Sequence, residues 1–340
     1  RLIGSFLTPL LLHRFPLRRI LLFSMFSKIV VLSAVFLLKD EAILWILLLV
    51  SIIAFLDGWS TPTRQAMLPE LVGKSALPQA NSLVAISDNT VNLVSWPLGA
   101  FFVAQFDGGL LILVTIVLYI LGWLLTYGIK SIIFVRKEIP SLKEQLSGGW
   151  RYSFSNKSIR NVLILDMLTA FAGAVWISAI LYVYVDEVLD KNEAWWGYIN
   201  AFYSGGFIIG GYLFAKLLKI SGQHMIMVGC FVTSLLTVWF IYPHAAVVAL
   251  VISLFLGIFG QLQLIAQLTI LQTHTETGQL GHVFSVQSVL VMGAFGIATF
   301  LFGWIAETYG ITSAFYLSAL IMLGTGFFTI IQKKTLIYSK

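Results

Sequence analysis

The sequence predicts an all-α, multi-pass membrane protein, and three observations carry that prediction. Of its 340 residues, 59% are hydrophobic and only 11% charged, against roughly a quarter charged in soluble domains. The mean hydropathy is +0.92, and the apolar residues gather into runs of roughly 20, the length a helix needs to cross about 30 Å of hydrocarbon. The lysines and arginines between those runs fall almost wholly in alternate connections, which is how membrane orientation is written into a chain. A helix is the open-chain form that satisfies every backbone N–H and C=O inside lipid, so each run reads as a helix.

Eleven spans follow in order. Residues 1–12 open at Arg1 in an apolar stretch, without Met and without the charged, apolar and small-residue zones of a signal peptide. They read as a truncated span in a chain whose first span is missing. Runs 18–38 and 42–62 are separated by the Lys39-Asp40-Glu41 turn, 79–104 carries an acid and amides inside it, and 109–134 is mostly aliphatic and aromatic, with Lys130 near its end. After a polar stretch, 160–185 follows Lys157, 195–217 runs from a tryptophan pair past Lys216, and 222–242 ends before Pro243. Spans 245–271, 282–305 and 311–332 complete the series, the last between Gly310 and Lys333.

Taking alternate connections as cytoplasmic places 17 of the 21 lysines and arginines on one side, Arg14, Arg18, Arg19, Arg64, Arg151 and Lys216 among them. The outer side keeps Lys39 and Lys191 and is otherwise acidic, whereas Arg1 and Lys28 lie within spans. The formal net charge of +6 therefore expresses topology, and no nucleic-acid partner is implied. One cysteine, Cys230, makes no disulfide framework, and no Cys/His cluster has metal-site spacing, so neither metal nor cofactor is expected. The longest polar connection, Val135 to Arg160, divides five spans from six. It predicts a first helix bundle over 1–134, a cytoplasmic inter-bundle loop over 135–158 and a second bundle over 159–340. The halves echo each other: FDGGLLILVTIVLYILG resembles TYGITSAFYLSALIMLG, with Gly108 and Gly310 set 202 residues apart.

Two motifs carry a family resemblance. GSFLTPLLLHRFPLRRILLF resembles the loop between spans two and three of the major facilitator superfamily, matching at Gly4, Arg14, Arg18 and Arg19, with His13 where that family has an aspartate. STPTRQAMLPELVGKSALPQANSL is similar to the connection between spans four and five in the efflux branch that includes the macrolide and enterobactin exporters, at Pro62, Arg64, Pro69, Glu70 and Asn81 among others. The resemblance extends over essentially the whole chain. It implies the major facilitator fold, with about 11 transmembrane helices present here, and secondary active transport. The glycine-proline stripe of antiporters in the fifth span is eroded to Pro97 and Gly99, with Asn92 and Trp96 at glycine positions.

Polar residues inside spans are the candidate machinery. Asn81, Ala85, Asp88, Asn92, Ser95 and Gly99 recur at steps of 4, 3, 4, 3 and 4, one helical face. A carboxylate at the bilayer centre costs about 3 kcal/mol on insertion scales, so it is paired, protonated or bathed in a cavity. Asp88 is the expected proton carrier; a hydrogen bond to a neighbouring helix is the structural alternative. Asp57, Thr61 and Arg64 share a face, and Asp57 and Arg64 join His13 and Arg14 as candidates for coupling or gating. Arg1, about 18 Å deeper than His13 along its helix, and Lys28 are candidate counter-charges for Asp57 or Asp88. The substrate-cavity candidates are Asn81, Asn92, Asp166, Tyr203, Gln263 and Gln267. Gln263 and Gln267 suit substrate hydroxyls and amides or, equally, bonds between helices, and Asp166 reads more readily as structural. Trp176, Tyr182, Trp195, Trp196 and Tyr198 suit an interfacial aromatic belt.

The reading that joins these features is a monomeric secondary active transporter of a bacterial cytoplasmic membrane. It exports small amphipathic molecules, drugs or macrolide- or siderophore-like metabolites, with the proton as coupling ion, by alternating access. Metabolite uptake or lipid transport on the same fold is the alternative within the class, and a receptor or scaffold, which needs no in-span acid, is the alternative outside it. No HExxH, acidic metal pair or nucleophile constellation marks an enzyme.

Overall fold

The apolar runs become helices, some with limits close to those predicted and some extended or broken. The computed structural model describes residues 1–12, 14–39, 42–106, 108–129, 141–176, 178–217, 220–242 and 245–336. Among these lie α1 (Leu2–Leu12), α2 (Leu17–Leu37), α3 (Ile43–Val72), α4 (Leu77–Gln105), α5 (Gly108–Tyr127), α6 (Leu142–Ser155) and α7 (Lys157–Gly173). They continue with α8 (Ser178–Glu187), α9 (Ala194–Lys216), α10 (Gly222–Ile241), α11 (Ala246–His274), α12 (Leu280–Tyr309) and α13 (Ile311–Ile331). No strand occurs among the described residues. Eight of the described helices are long and apolar enough to cross a membrane: α2, α3, α5, α7 with its following turn, α10, α11, α12 with its preceding turn, and α13. Of the other predicted spans, α1 is apolar but has 11 residues, while α4 and α9 have 29 and 23 and are diluted by polar or glycine positions.

The chain divides into two units. The first comprises Arg1–Gly73, Ser95–Ser155 and Thr275–Val289; the second comprises Lys74–Val94, Asn156–His274 and Leu290–Lys340. Helices α4 and α12 each contribute to both.

In the first unit α3 packs on α1 and α2, and α2 also on α5. The α1–α3 crossing is built on glycine. A Cβ on Gly4 would run into the carbonyl oxygen of Phe55, and one on Gly58 would stand 2.6 Å from the amide nitrogen of Ser5. The predicted span ends at residue 62, and an interior proline removes an N–H and clashes with the preceding turn. Helix α3 nevertheless runs on to Val72 through Pro62 and Pro69. The carbonyl that Pro62 cannot serve, that of Gly58, accepts from Ser5 Oγ and Thr8 Oγ1, both at 3.1 Å. The inter-bundle segment also departs from a plain loop, since residues 142–155 form an amphipathic helix. In α6, Gly149 abuts His282, and Tyr152 accepts from the Glu276 N–H at 3.2 Å. Residues 130–140, the start of that predicted loop and the end of the predicted fifth span, lie outside the described residues.

In the second unit α11 is central, packing on α9, α10 and α7. Its crossing with α9 repeats the glycine device: a Cβ on Gly206 would meet the Leu254 carbonyl, and one on Gly257 would stand 2.9 Å from Gly206 Cα. Gly206 follows Gly4 by 202 residues and Gly257 follows Gly58 by 199, so the repeat seen at Gly108 and Gly310 extends to the packing of the two crossings. The predicted span 160–185 is broken into α7, a 3-10 turn over Ala174–Trp176, and α8. Ser318 Oγ donates to the Ala172 carbonyl at 2.8 Å, and Trp176 wedges edge-on against Phe240 and Phe315 with ring centroids at 4.9 and 5.2 Å. Trp176 is thus a packing residue of this unit rather than part of an interfacial belt. Tyr184, fully buried, donates its hydroxyl to the Phe240 carbonyl.

Candidate functional site

Ionic groups at membrane depth are costly, so their partners define the site. Lys28 is residue 12 of the 21 in α2, and Asp57 is residue 15 of the 30 in α3. Packing of α2 on α3 brings them together: Lys28 Nζ donates to Asp57 Oδ1 at 2.6 Å and to Ser60 Oγ at 3.1 Å. Arg1 Nη2 reaches the other carboxylate oxygen, Oδ2, at 2.7 Å. Lys28 is only 3% exposed; a Tyr119 ring centroid 5.8 Å from its Nζ adds a π face. Ser60 is held by Ser24 at 2.7 Å. Both candidate counter-charges therefore converge on Asp57. Sequence reading did not single out Ser24, Ser60 and Tyr119. The Ser24–Lys28 and Asp57–Ser60 spacings, one helical turn each, were the available signal for the two serines.

The remaining coupling candidates are distributed. Asp88 is half-buried on α4, in the part of that helix belonging to the second unit. Arg64 and Arg14 are exposed, and His13 lies outside the described residues. Arg18 donates to the Tyr127 carbonyl and lies 5.0 Å from that ring, tying the start of α2 to the end of α5.

The substrate-cavity candidates meet only in part. The second unit contains a partly open pocket of about 80 Å³ lined by Thr169, Trp176, Tyr203, Phe207, Thr237 and Gln263, among others. At about 30 Å³ per water, that is room for a few solvent molecules. Gln263 Nε2 donates to Thr169 Oγ1 at 2.8 Å, so this glutamine both ties α11 to α7 and lines the cavity. Its Oε1 is buried without a donor. Gln267 is completely buried, and neither amide atom has a hydrogen-bond partner. Asn81 Nδ2 donates to Thr269 Oγ1 at 3.0 Å and to Gln272 Oε1 at 2.7 Å, which secures α4 to α11. Asp166 is buried within α7, and Asn92 is exposed.

Residues 1–298 match the model of the Major Facilitator Superfamily. The chain is 30% identical over 336 residues to the uncharacterized MFS-type transporter YfmI of Bacillus subtilis (strain 168), covering 95% of this chain and 82% of that one. It is 26% identical over 307 residues to a second uncharacterized MFS-type transporter of that organism, YjbB, across 88% and 75% of the two chains. Among solved structures, the fucose:proton symporter FucP of E. coli superposes with a TM-score of 0.79 at 13% identity, over 97% of this chain and 87% of that one. A bacterial homologue of the iron transporter ferroportin, in an outward-facing state, gives 0.74 at 19%, over 98% and 88%. At these identities the structural likeness speaks to fold.

Proposed function

The chain belongs to the major facilitator superfamily and is a multi-pass membrane transporter, and from that premise we propose that it exports small amphipathic molecules in exchange for protons by alternating access. The observation that carries the reading is the Lys28–Asp57–Arg1 cluster. A receptor or scaffold has no use for three ionic groups at membrane depth, whereas a transporter uses such groups as a coupling or gating network. Asp57, shared between cations from two other segments, is the part of the network whose pairings can be exchanged as helices move. Asp88 carries the proton, and Arg64, His13 and Arg14 gate the cytoplasmic side. Asn81, Asn92, Asp166, Tyr203, Gln263 and Gln267 serve the substrate path.

In this reading the chain contributes eleven spans, with α1, α4 and α9 counted among them. Five fall in 1–134 and six in 159–340, with 135–158 on the cytoplasmic face. The protein works as a monomer, and its Bacillus relatives favour a bacterial cytoplasmic membrane. The test is accumulation of a panel of amphipathic dyes, antibiotics and siderophores in bacterial cells with and without the protein. Lower accumulation of some of them, abolished by a protonophore, is expected. Unchanged accumulation across the panel, or higher accumulation on expression, counts against export.

A further inference from the structure

We infer that the pocket in the second unit binds an uncharged, hydrogen-bond-donating end of the transported molecule, a hydroxyl or an amide N–H on an otherwise apolar group. The inference rests on the transporter reading above and specifies its substrate class.

The polar groups of the wall decide what it accepts. Gln263 is 1% exposed; its Nε2 is spent on Thr169 Oγ1, and its Oε1 has no donor. A buried acceptor left bare is costly, and a ligand that serves it recovers the cost. The hydroxyls around the pocket have their protons committed elsewhere. Thr233 Oγ1 donates to the Gly229 carbonyl at 2.7 Å, Thr237 Oγ1 to the Thr233 carbonyl at 2.7 Å and Ser318 Oγ to the Ala172 carbonyl at 2.8 Å. What these three side chains still offer is lone pairs. Tyr203 and Trp176 also line the pocket, but their rings are held against Phe207 and against Phe240 and Phe315, and neither serves Gln263 Oε1. The wall is short of a donor, and the ligand brings it.

Charge and room narrow the class further. Among the described residues that line the pocket none is charged, so an ammonium or a carboxylate there would lose its water without gaining a counter-ion. Phe207, Leu256, Leu264 and Met322 make much of the remaining wall apolar, which suits hydrocarbon beside the donor. A volume of about 80 Å³ takes a group of a few non-hydrogen atoms, on the scale of roughly 30 Å³ per water. The pocket is partly open, so the rest of a larger molecule extends from it. Two glycines of the wall preserve that room: a Cβ on Gly173 would meet nothing within 4 Å, and one on Gly260 only Phe207 Cε2 at 4.0 Å.

The test uses the purified protein in an amine-oxide detergent, which carries no hydroxyl. Fluorine NMR linewidths are followed for 3-fluoropropanol and for its isomer 2-fluoroethyl methyl ether, which accepts a hydrogen bond but cannot donate one. Saturable broadening of the alcohol is expected, with the ether bound about tenfold more weakly. Gly260→Ala puts a methyl into the pocket and leaves Gln263 and Thr169 in place; it should weaken alcohol binding severalfold. Gln263→Leu should remove the preference for the alcohol, and if that variant fails to fold, Gly260→Ala decides. No saturable effect of the alcohol, the result if the pocket takes solvent only, overturns the inference. So do equal or tighter binding of the ether, unchanged alcohol binding in Gly260→Ala, and an unchanged preference in folded Gln263→Leu. The transporter reading fails separately. If protonophore-sensitive export is confined to compounds without an uncharged O–H or N–H, export stands and the pocket falls as a substrate site. If no compound is exported while the alcohol still binds through Gln263, the reverse holds.

Discussion

Lys28 is nearly inaccessible to water and depends on Asp57 for its counter-charge. Removing one partner of a buried pair strands the other and costs about 3–5 kcal/mol, whereas replacing both by neutral groups is often tolerated. Asp57→Asn is therefore expected to lower the unfolding temperature sharply, toward the lower end of that range because Asp57 is 22% exposed. Lys28→Met in the same chain should recover most of the loss. Thermal unfolding of the two single variants and the double variant checks this, and independent, additive effects would show that the pair is not coupled. At this scale the sequence made the ionic residues visible, because charge within an apolar run stands out. It left open whether Arg1 and Lys28 answer Asp57 or Asp88, since that depends on which helices touch. The polar stripe on α4 shows the same limit: its spacing implied one common face, yet Asn81 is buried between helices and Asn92 is exposed.

Helix limits were legible wherever charge or glycine punctuates an apolar run, as at Gly222, Gly310 and Lys216. Two elements were not. The extension of α3 beyond Pro62 and the break after α7 are decided by side chains from other helices, Ser5 and Thr8 in the first case and Ser318 in the second. Removing both donors, Ser5→Ala with Thr8→Val, leaves the Gly58 carbonyl without a partner. It should cost about 1–3 kcal/mol, and an unchanged unfolding temperature would mean that Pro62 needs no rescue. At the same crossing, Gly4→Ala drives a methyl into the Phe55 carbonyl and should cost about 1–3 kcal/mol as overpacking. Gly99→Ala, where a Cβ meets nothing within 4 Å, is the control and should lie near zero.

The two repeats are alike in their glycine crossings and unlike in charge. At the offsets set by those crossings, Arg1, Lys28 and Asp57 correspond to Tyr203, Cys230 and Leu256. Where one repeat holds ions, the other holds neutral side chains, two of which line its small cavity. The asymmetry favours a division of labour in which the first repeat handles charge. Orientation is open to direct measurement: in a Cys230→Ser background, single cysteines at Arg19 and Lys216 should react with an impermeant maleimide from the cytoplasmic side, and one at Lys191 only from outside. Reaction of Arg19→Cys and Lys191→Cys from one side would overturn the topology. The repeat and the family were legible in the sequence because glycine, proline and charge mark them locally. The contents of the site were not, because they depend on contacts between distant segments. The claim that joins these scales is proton-driven transport, and the direct measurement is uptake of an exported compound into liposomes holding the purified protein, with the lumen made acidic. Wild type is expected to accumulate the compound only while the gradient lasts, and Asp88→Asn to exchange it without accumulating it. Accumulation that persists after the gradient is collapsed, or that is as strong in Asp88→Asn as in wild type, would contradict the account.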